Sequence, residues 1–306
     1  RAEHDIDELL SDLVYYDGEL PAVLANHPLN KDTIGKSYRN YKTCMEYKNP
    51  DRIPAVYNVS YIQPPSFSVV ITCYNNLDVL KVTLPAWKNQ TYRDYEIIVV
   101  EDGEPDNVED TGIKEYVESL GYKYLYNDSG ESYCIASARN LGIWSATKDR
   151  VLFTDSDLIP HNDFILEHAA EAQVNNITVG SRYRVSSADN LDDAIVDPRV
   201  TDAFVRIANN KCNDPWEHVH GCNFSVLKSR LVSINGFDET NFDGNWGCED
   251  VDLAYRLITK GCNVKPVPSS VGYHIDHPSR ERAGQRETFN KLISTNAVRK
   301  KPKSWK

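Results

Sequence analysis

Between Ser66 and Asp157 the apolar positions follow two alternating rhythms. Short, nearly unbroken apolar runs, "FSVVITCYN", "YEIIVVEDG" and "DRVLFTDSD", with the more polar "KYLYND" between the last two, have the length and composition of strands. The intervening stretches "NLDVLKVTLPAWKNQ", "IKEYVESLG" and "SYCIASARNLGIWSAT" predict helices. Pro85 blemishes the first of these, because it has no N–H for the helical ladder. Strand–helix–strand repetition with continuous apolar strands implies an α/β fold, a mainly parallel sheet covered on both faces.

Further along, Val251, Ala254, Tyr255 and Ile258 form one stripe, with Leu253 and Leu257 beside it. That spacing predicts an amphipathic helix with Glu249 and Asp250 in its first turn and Gly261 as its C-cap. "NVKPVP" after it reads as a strand. Upstream, "DIDELLSDLVYY" places Ile6, Leu9, Leu10 and Leu13 at helical spacing and then gives way to Pro-, Asn- and Lys-rich chain up to Pro64–Pro65. The expected organisation is an N-terminal helical extension and linker over 1–65, an α/β domain over 66–278, and a basic tail over 279–306. Within the domain, 66–182 is the first half and 183–278 the second.

Composition narrows the function. The 306 residues are 41% hydrophobic and 26% charged, as in an ordinary soluble globular chain. No apolar run approaches the roughly 18–20 residues of a membrane span. The chain starts at Arg1 rather than Met, which leaves room for a removed targeting or anchoring segment. A net charge of −11 argues against nucleic acid as a partner. The exception is "RKKPKSWK" at 299–306, read as a solvated end, with a peripheral membrane or partner contact, including a second copy of the chain, as the alternative. Seven cysteines without a CxxC pair disfavour a structural zinc site and a full disulfide framework, and fit a reducing cytoplasm. Sequons start at Asn58, Asn89, Asn127, Asn176 and Asn223, several inside segments read as core, so they look like chance matches.

Ligands of such sheets bind beyond the carboxyl ends of the strands. There the sequence sets Thr72-Cys73-Tyr74-Asn75, Glu101-Asp102-Gly103 and Asp155-Ser156-Asp157. Turn chemistry accounts for any one of these ends; three polar ends together point to a site. Asp155 and Asp157 are two apart, so extended geometry turns both carboxylates to one side, where they suit a hard divalent cation that also grips phosphates. Arg139, in the predicted helix around "ASARNLGI", has two readings: it reaches a nucleotide's phosphates, or it holds the site's carboxylates in place.

These motifs, in this order, resemble a family 2 glycosyltransferase of the GT-A fold. The later "HGCNFSVLKSRLVSINGFDE" and "WGCEDVDLAYRL" resemble the acceptor half of inverting galactosyl- and N-acetylgalactosaminyltransferases and of chondroitin-polymerase-type enzymes. The resemblance implies that Thr72, Tyr74, Glu101 and Asp102 line a uridine pocket, with Arg139 and Ser156 near the nucleotide. It makes Asp155 a neighbour of ribose and metal, and Asp157 a direct metal ligand. The second strand departs from the family, ending Glu-Asp-Gly and followed by Glu104, where Asp-Asp-Gly-Ser is common. By the same resemblance Asp250 is the general base, Glu249 hydrogen-bonds the acceptor, and Trp246 offers its ring a flat face. A retaining relative would carry an amide in place of Asp250. A metal-binding histidine is expected at His274, which aligns better than His277; nitrogen beside carboxylate favours Mn²⁺ over Mg²⁺. His218 and His220 are expected in the acceptor or donor-sugar pocket, and Gly221 where backbone meets the donor sugar.

The implied activity is transfer of a hexose or N-acetylhexosamine from UDP-GalNAc, UDP-Gal or UDP-GlcNAc to a saccharide hydroxyl, with inversion. The alternatives are a retaining transferase, a sugar nucleotidyltransferase, and a non-catalytic carbohydrate-binding scaffold. "TCYNNLDVLK" lacks the glycine-rich basic loop of the nucleotidyltransferases.

Overall fold

The computed structural model describes residues 64–103, 111–128, 133–244, 247–277, 285–295 and 299–305. The helix predicted in the N-terminal extension, and Trp246, lie outside them. In chain order the elements are β1 (Phe67–Cys73), α1 (Leu77–Thr83), β2 (Tyr95–Gly103), α2 (Ile113–Ser119), β3 (Lys123–Asp128), α3 (Ile135–Ser145), β4 (Arg150–Asp155) and β5 (Leu158–Pro160). There follow α4 (Phe164–Ala170), β6 (Asn176–Val185), β7 (Ile195–Val196), α5 (Pro198–Ala208), β8 (Phe224–Leu227) and α6 (Lys228–Ser233). The last are α7 (Glu239–Phe242), α8 (Glu249–Thr259), β9 (Asn263–Ile275) and α9 (Gln285–Ser294).

The strands form one sheet in the order β3-β2-β1-β4-β8-β6-β9-β5, with β7 paired to β6. β3, β2, β1 and β4 are all parallel, as the alternating pattern predicts. Beyond β4 the sheet is mixed: β8 runs antiparallel to β4 and β6, β9 is parallel to β6, and β5 is antiparallel to β9. Period-2 alternation sends β1 and β4 side chains to opposite faces. Val70, Val151 and Phe153 join the core under α3 and α8, whereas Val69, Ile71 and Leu152 join the core under α1 and α4. Helix α3 lies so close to β1 that a Cβ on Gly142 would sit 2.4 Å from Val70.

The long helix predicted after β1 is shorter. α1 ends at Thr83 and the chain tightens into a 3-10 turn over Leu84–Asn89, with Pro85 at its start. The missing proline N–H is harmless there and costly one turn later. Asn127 and Asn223 are buried, in keeping with chance sequons. Residues 299–305 correct the solvated-end reading. Arg299 is buried and pairs with Asp238 and Asp252, and the buried Trp305 stacks on Trp144 while its indole N–H donates to Asn140 O at 2.8 Å. Among the described residues no helix is long and apolar enough to cross a membrane.

Candidate active site

The carboxyl ends of β1, β2 and β4 do converge, but their side chains serve different purposes. Asp102 is buried and tied up in the fold: one oxygen accepts from Asn127 Nδ2 at 2.9 Å, the other from the N–H of Cys134 at 2.6 Å, just before α3. Burial pushes its carboxyl upward while these two donors pull it down. Glu101, also buried, accepts from the Tyr124 hydroxyl at 2.6 Å. Thr72 is buried in register with Asp155, and Tyr74 is exposed just beyond β1. Ser156 is buried and accepts from Asn76 Nδ2 at 2.6 Å, which fixes the turn between β4 and β5.

That turn separates the two aspartates that the sequence places on one side. Asp155 is bound by Arg139 Nη2 at 3.3 Å. Asp157 instead faces two histidines at the end of β9, with His274 Nε2 at 3.3 Å from one oxygen and His277 Nε2 at 3.2 Å from the other. One ligand atom from each of Asp157, His274 and His277 lies within 4.8 Å of the others, whereas Asp155 is outside this group. His277, the less favoured candidate, thus lies beside His274 in this group, while Asp155, also expected as a ligand, is held by Arg139. β9 explains the meeting: Leu158, one residue past Asp157, pairs with His274 across β5 and β9. Burial drives the His274 imidazole down to about 4. Burial, and then the Asp155 charge, push the Asp157 carboxyl up to about 7. Its buried Oδ1 has no hydrogen-bond partner among the described residues. A carboxylate oxygen left bare beside two imidazoles fits a divalent cation.

Arg139 holds carboxylates rather than reaching out. It is 3% exposed, with Nη1 on Glu249 Oε1 at 2.8 Å and Nη2 on Asp155. Burial, and then the neighbouring Asp250, raise the Glu249 carboxyl to about 7 against the pull of Arg139. The guanidinium leaves no room at residue 221: a Cβ there would sit 2.1 Å from Arg139 Nη2. The demand for glycine at 221 is therefore met inside the protein.

Gly221 N–H donates to Asp250 Oδ2 at 2.9 Å, while Asp250 Oδ1 accepts from the N–H of Val251 at 2.8 Å. Asp250 is thus both a first-turn cap of α8 and a half-buried carboxylate fixed from two sides. The residue before the helix, Cys248, is left-handed at φ 66° and offers no side-chain cap. His220, next to Gly221, has an Nε2 without a partner among the described residues; burial lowers its basicity, opposed by Asp250. His218 lies with Cys212 and Asp214 instead. Sequence reasoning missed Arg182, on β6. It pairs with the buried Asp197, and its positive charge reaches Asp157 and His274. Nothing in the sequence around it singles this arginine out.

The model of glycosyl transferase family 2 matches residues 68–231, more than half of the chain. The chain belongs to this family. A second model, described as the N-terminal domain of galactosyltransferase, matches residues 201–278, so the two together span the sheet and α8. The chain is 26% identical to the chondroitin synthase of Pasteurella multocida over 76% of its own length and 27% of the relative's. It is 28% identical to the Escherichia coli chondroitin synthase over 72% of its length and 36% of that protein. It thus spans about a quarter to a third of these relatives. In fold it is similar to S. aureus TarS (TM-score 0.55, 16% identity, 76% of this chain and 39% of that one). It is likewise similar to GalNAc-T7, solved with UDP, GalNAc and Mn²⁺ (TM-score 0.56, 15% identity, 76% and 48%). The transferase has the GT-A fold.

Proposed function

We propose that the transferase moves a hexose or N-acetylhexosamine from a UDP-sugar to a saccharide hydroxyl with inversion, in a metal-dependent reaction with Asp250 as the general base. The observation that carries this reading is the unbroken chain of charged contacts Glu249–Arg139–Asp155, which ties the start of α8 to the turn bearing Asp157. It holds a fixed carboxylate and a cation-binding group at one sheet edge, as in-line displacement requires. Asp250 would take the acceptor hydroxyl's proton as that oxygen attacks the anomeric carbon and the nucleoside diphosphate departs. Its two backbone N–H bonds fix the direction from which it acts. A carboxylate at 250, rather than an amide, supports inversion over retention. Glu249 is engaged by Arg139 through one oxygen and keeps Oε2 without a partner among the described residues, which suits an acceptor hydroxyl.

Asp157, His274 and His277 would hold the metal, which supplies positive charge for the leaving diphosphate. Two imidazoles beside one carboxylate favour Mn²⁺ over Mg²⁺. Thr72, Tyr74, Glu101 and Asp102 at the ends of β1 and β2 are proposed to line the uridine pocket, and Trp246 to meet the acceptor ring. The chondroitin synthase relatives, and the UDP, GalNAc and Mn²⁺ bound to GalNAc-T7, support UDP-GalNAc as the first donor to try. UDP-Gal and UDP-GlcNAc come next.

The test is UDP release from these donors with Mn²⁺ or chelator, for wild type and Asp250→Asn, with the anomeric configuration of the product read by NMR. The expected result is metal-dependent turnover of one donor and an inverted product. Asp250→Asn should lose acceptor-dependent turnover while still binding UDP. No binding or cleavage of any donor under any metal condition overturns the reading in favour of a scaffold. Retained configuration would leave a transferase and remove Asp250 as base.

A further inference from the structure

The segment from Lys211 to Gly221 leads from the end of α5 to the backbone that holds Asp250, and the reaction uses no side chain from its first half. Three donors of different chemistry meet there. One ligand atom each from Cys212, Asp214 and His218 lies within 4.8 Å of the others. Cys212 is the one described cysteine that is not buried, and its thiol lies against Asp214, 3.5 Å from Oδ1 and within reach of that residue's backbone N–H. Asp214 occupies the N-cap position of the 3-10 turn Pro215–His218, yet its side chain caps nothing. The turn carrying His218 is fastened to its surroundings. Trp216 packs edge-on against Tyr255 of α8 at 5.2 Å, and Arg286 of α9 grips Glu217 with both terminal nitrogens, at 2.5 and 2.8 Å.

We propose that Cys212, Asp214 and His218 form a second metal site, distinct from Asp157–His274–His277, and that it takes Zn²⁺. Thiolate with imidazole and carboxylate is a soft-to-borderline donor set that suits zinc, whereas the oxygen and imidazole set at Asp157 suits a harder ion. Zinc bonds of about 2.0–2.3 Å at tetrahedral angles need donor separations of about 3.3–3.8 Å. Small side-chain rotations reach that from a group already within 4.8 Å. Water completes the fourth position. On binding, the Cys212 sulfur gives its proton to solvent and bonds the metal as thiolate, with no change of oxidation state. His218 is three residues from Gly221, so a metal here fixes the loop whose N–H orients Asp250.

The proposal does not rest on the transferase reading, and its test reads metal alone. The full chain is stripped with chelator and titrated with Co²⁺ as a spectroscopic stand-in for Zn²⁺. The expected result is a near-ultraviolet thiolate-to-cobalt band with tetrahedral visible bands, saturating at one equivalent and displaced by Zn²⁺. The band should vanish in Cys212→Ser and weaken by about tenfold or more in affinity in His218→Ala. It should persist in Asp157→Ala, which disables the other group. Cys212→Ser alters a partly exposed residue, and its circular dichroism should match wild type. Absence of the band, or a band that survives Cys212→Ser, overturns the proposal. The first outcome means an ordinary polar trio on a loop, and the second a different thiol.

Discussion

Replacing Arg139 by methionine should be among the most damaging single changes outside the apolar core. Arg139 is 3% exposed and Glu249 5%, and their bond of 2.8 Å lies beneath α3 and the start of α8. Removing the guanidinium strands Glu249, whose other oxygen has no partner among the described residues, and frees Asp155. Breaking a buried pair by deleting one partner costs about 3–5 kcal/mol, because the carboxyl left behind must either stay charged without solvent or take up a proton there. For a domain of this size that is a fall in Tm of roughly 6–20 °C. The cost should shrink when the stranded charge is also removed. Glu249→Gln in the Arg139→Met background should recover about 2 kcal/mol or more, so the two changes are strongly non-additive. The assay is a double-mutant cycle by thermal or urea denaturation at pH 7.5, with each variant's native circular dichroism as the control. Additive effects within about 0.5 kcal/mol would refute the idea that this pair is what holds the site together.

Three further outcomes follow from the same contacts. Gly221→Ala should destabilise by about 1–3 kcal/mol, because its Cβ would come within 2.1 Å of Arg139 Nη2 and the guanidinium can yield only by loosening its pairs with Glu249 and Asp155; equilibrium denaturation checks it, and no effect would mean that the guanidinium is free to move. His168 is buried with its imidazole driven down to about 3 by desolvation. Asn223 Nδ2 donates to two carbonyls, so its Oδ1 accepts from His168 Nε2–H, and Nδ1 accepts from Thr178. The unfolded chain, with an ordinary histidine near 6.5, binds the proton that the folded one refuses, so stability falls as pH drops below about 6.5. Between pH 7 and pH 5 this residue should account for about 2 kcal/mol, which urea midpoints of wild type and His168→Gln at the two pH values would separate. Trp305→Ala should cost about 3–5 kcal/mol through lost packing on Trp144 and the lost bond to Asn140 O, read as a lower Tm; an unchanged Tm would put the segment back in solvent.

The apolar runs of 66–157 were enough to determine β1, β2 and β4, because a parallel strand buried on both faces must be apolar along its length, whereas the more polar edge strand β3 follows from the alternation alone and the helix after β1 ends sooner than its pattern predicts. The stripe from Val251 to Ile258 determined α8 for the equivalent reason at helical period. Polar strand ends marked the edge where a ligand binds, and the order of motifs carried the family. Tertiary structure decided how those residues divide the work. Asp155 and Asp157 are neighbours in sequence, but the turn at Ser156 sends one to Arg139 and the other to two histidines more than a hundred residues away. Glycine at 221 has no local explanation, since the atom that excludes a side chain belongs to a helix 82 residues earlier. The basic end looked solvated because lysines dominate its composition, yet Arg299 and Trp305 find their partners on α3, α8 and the turn before α7. Periodicity records which face a residue presents to the nearest core. Pairings between residues far apart in the chain leave no periodic trace, and they are what assembles this site.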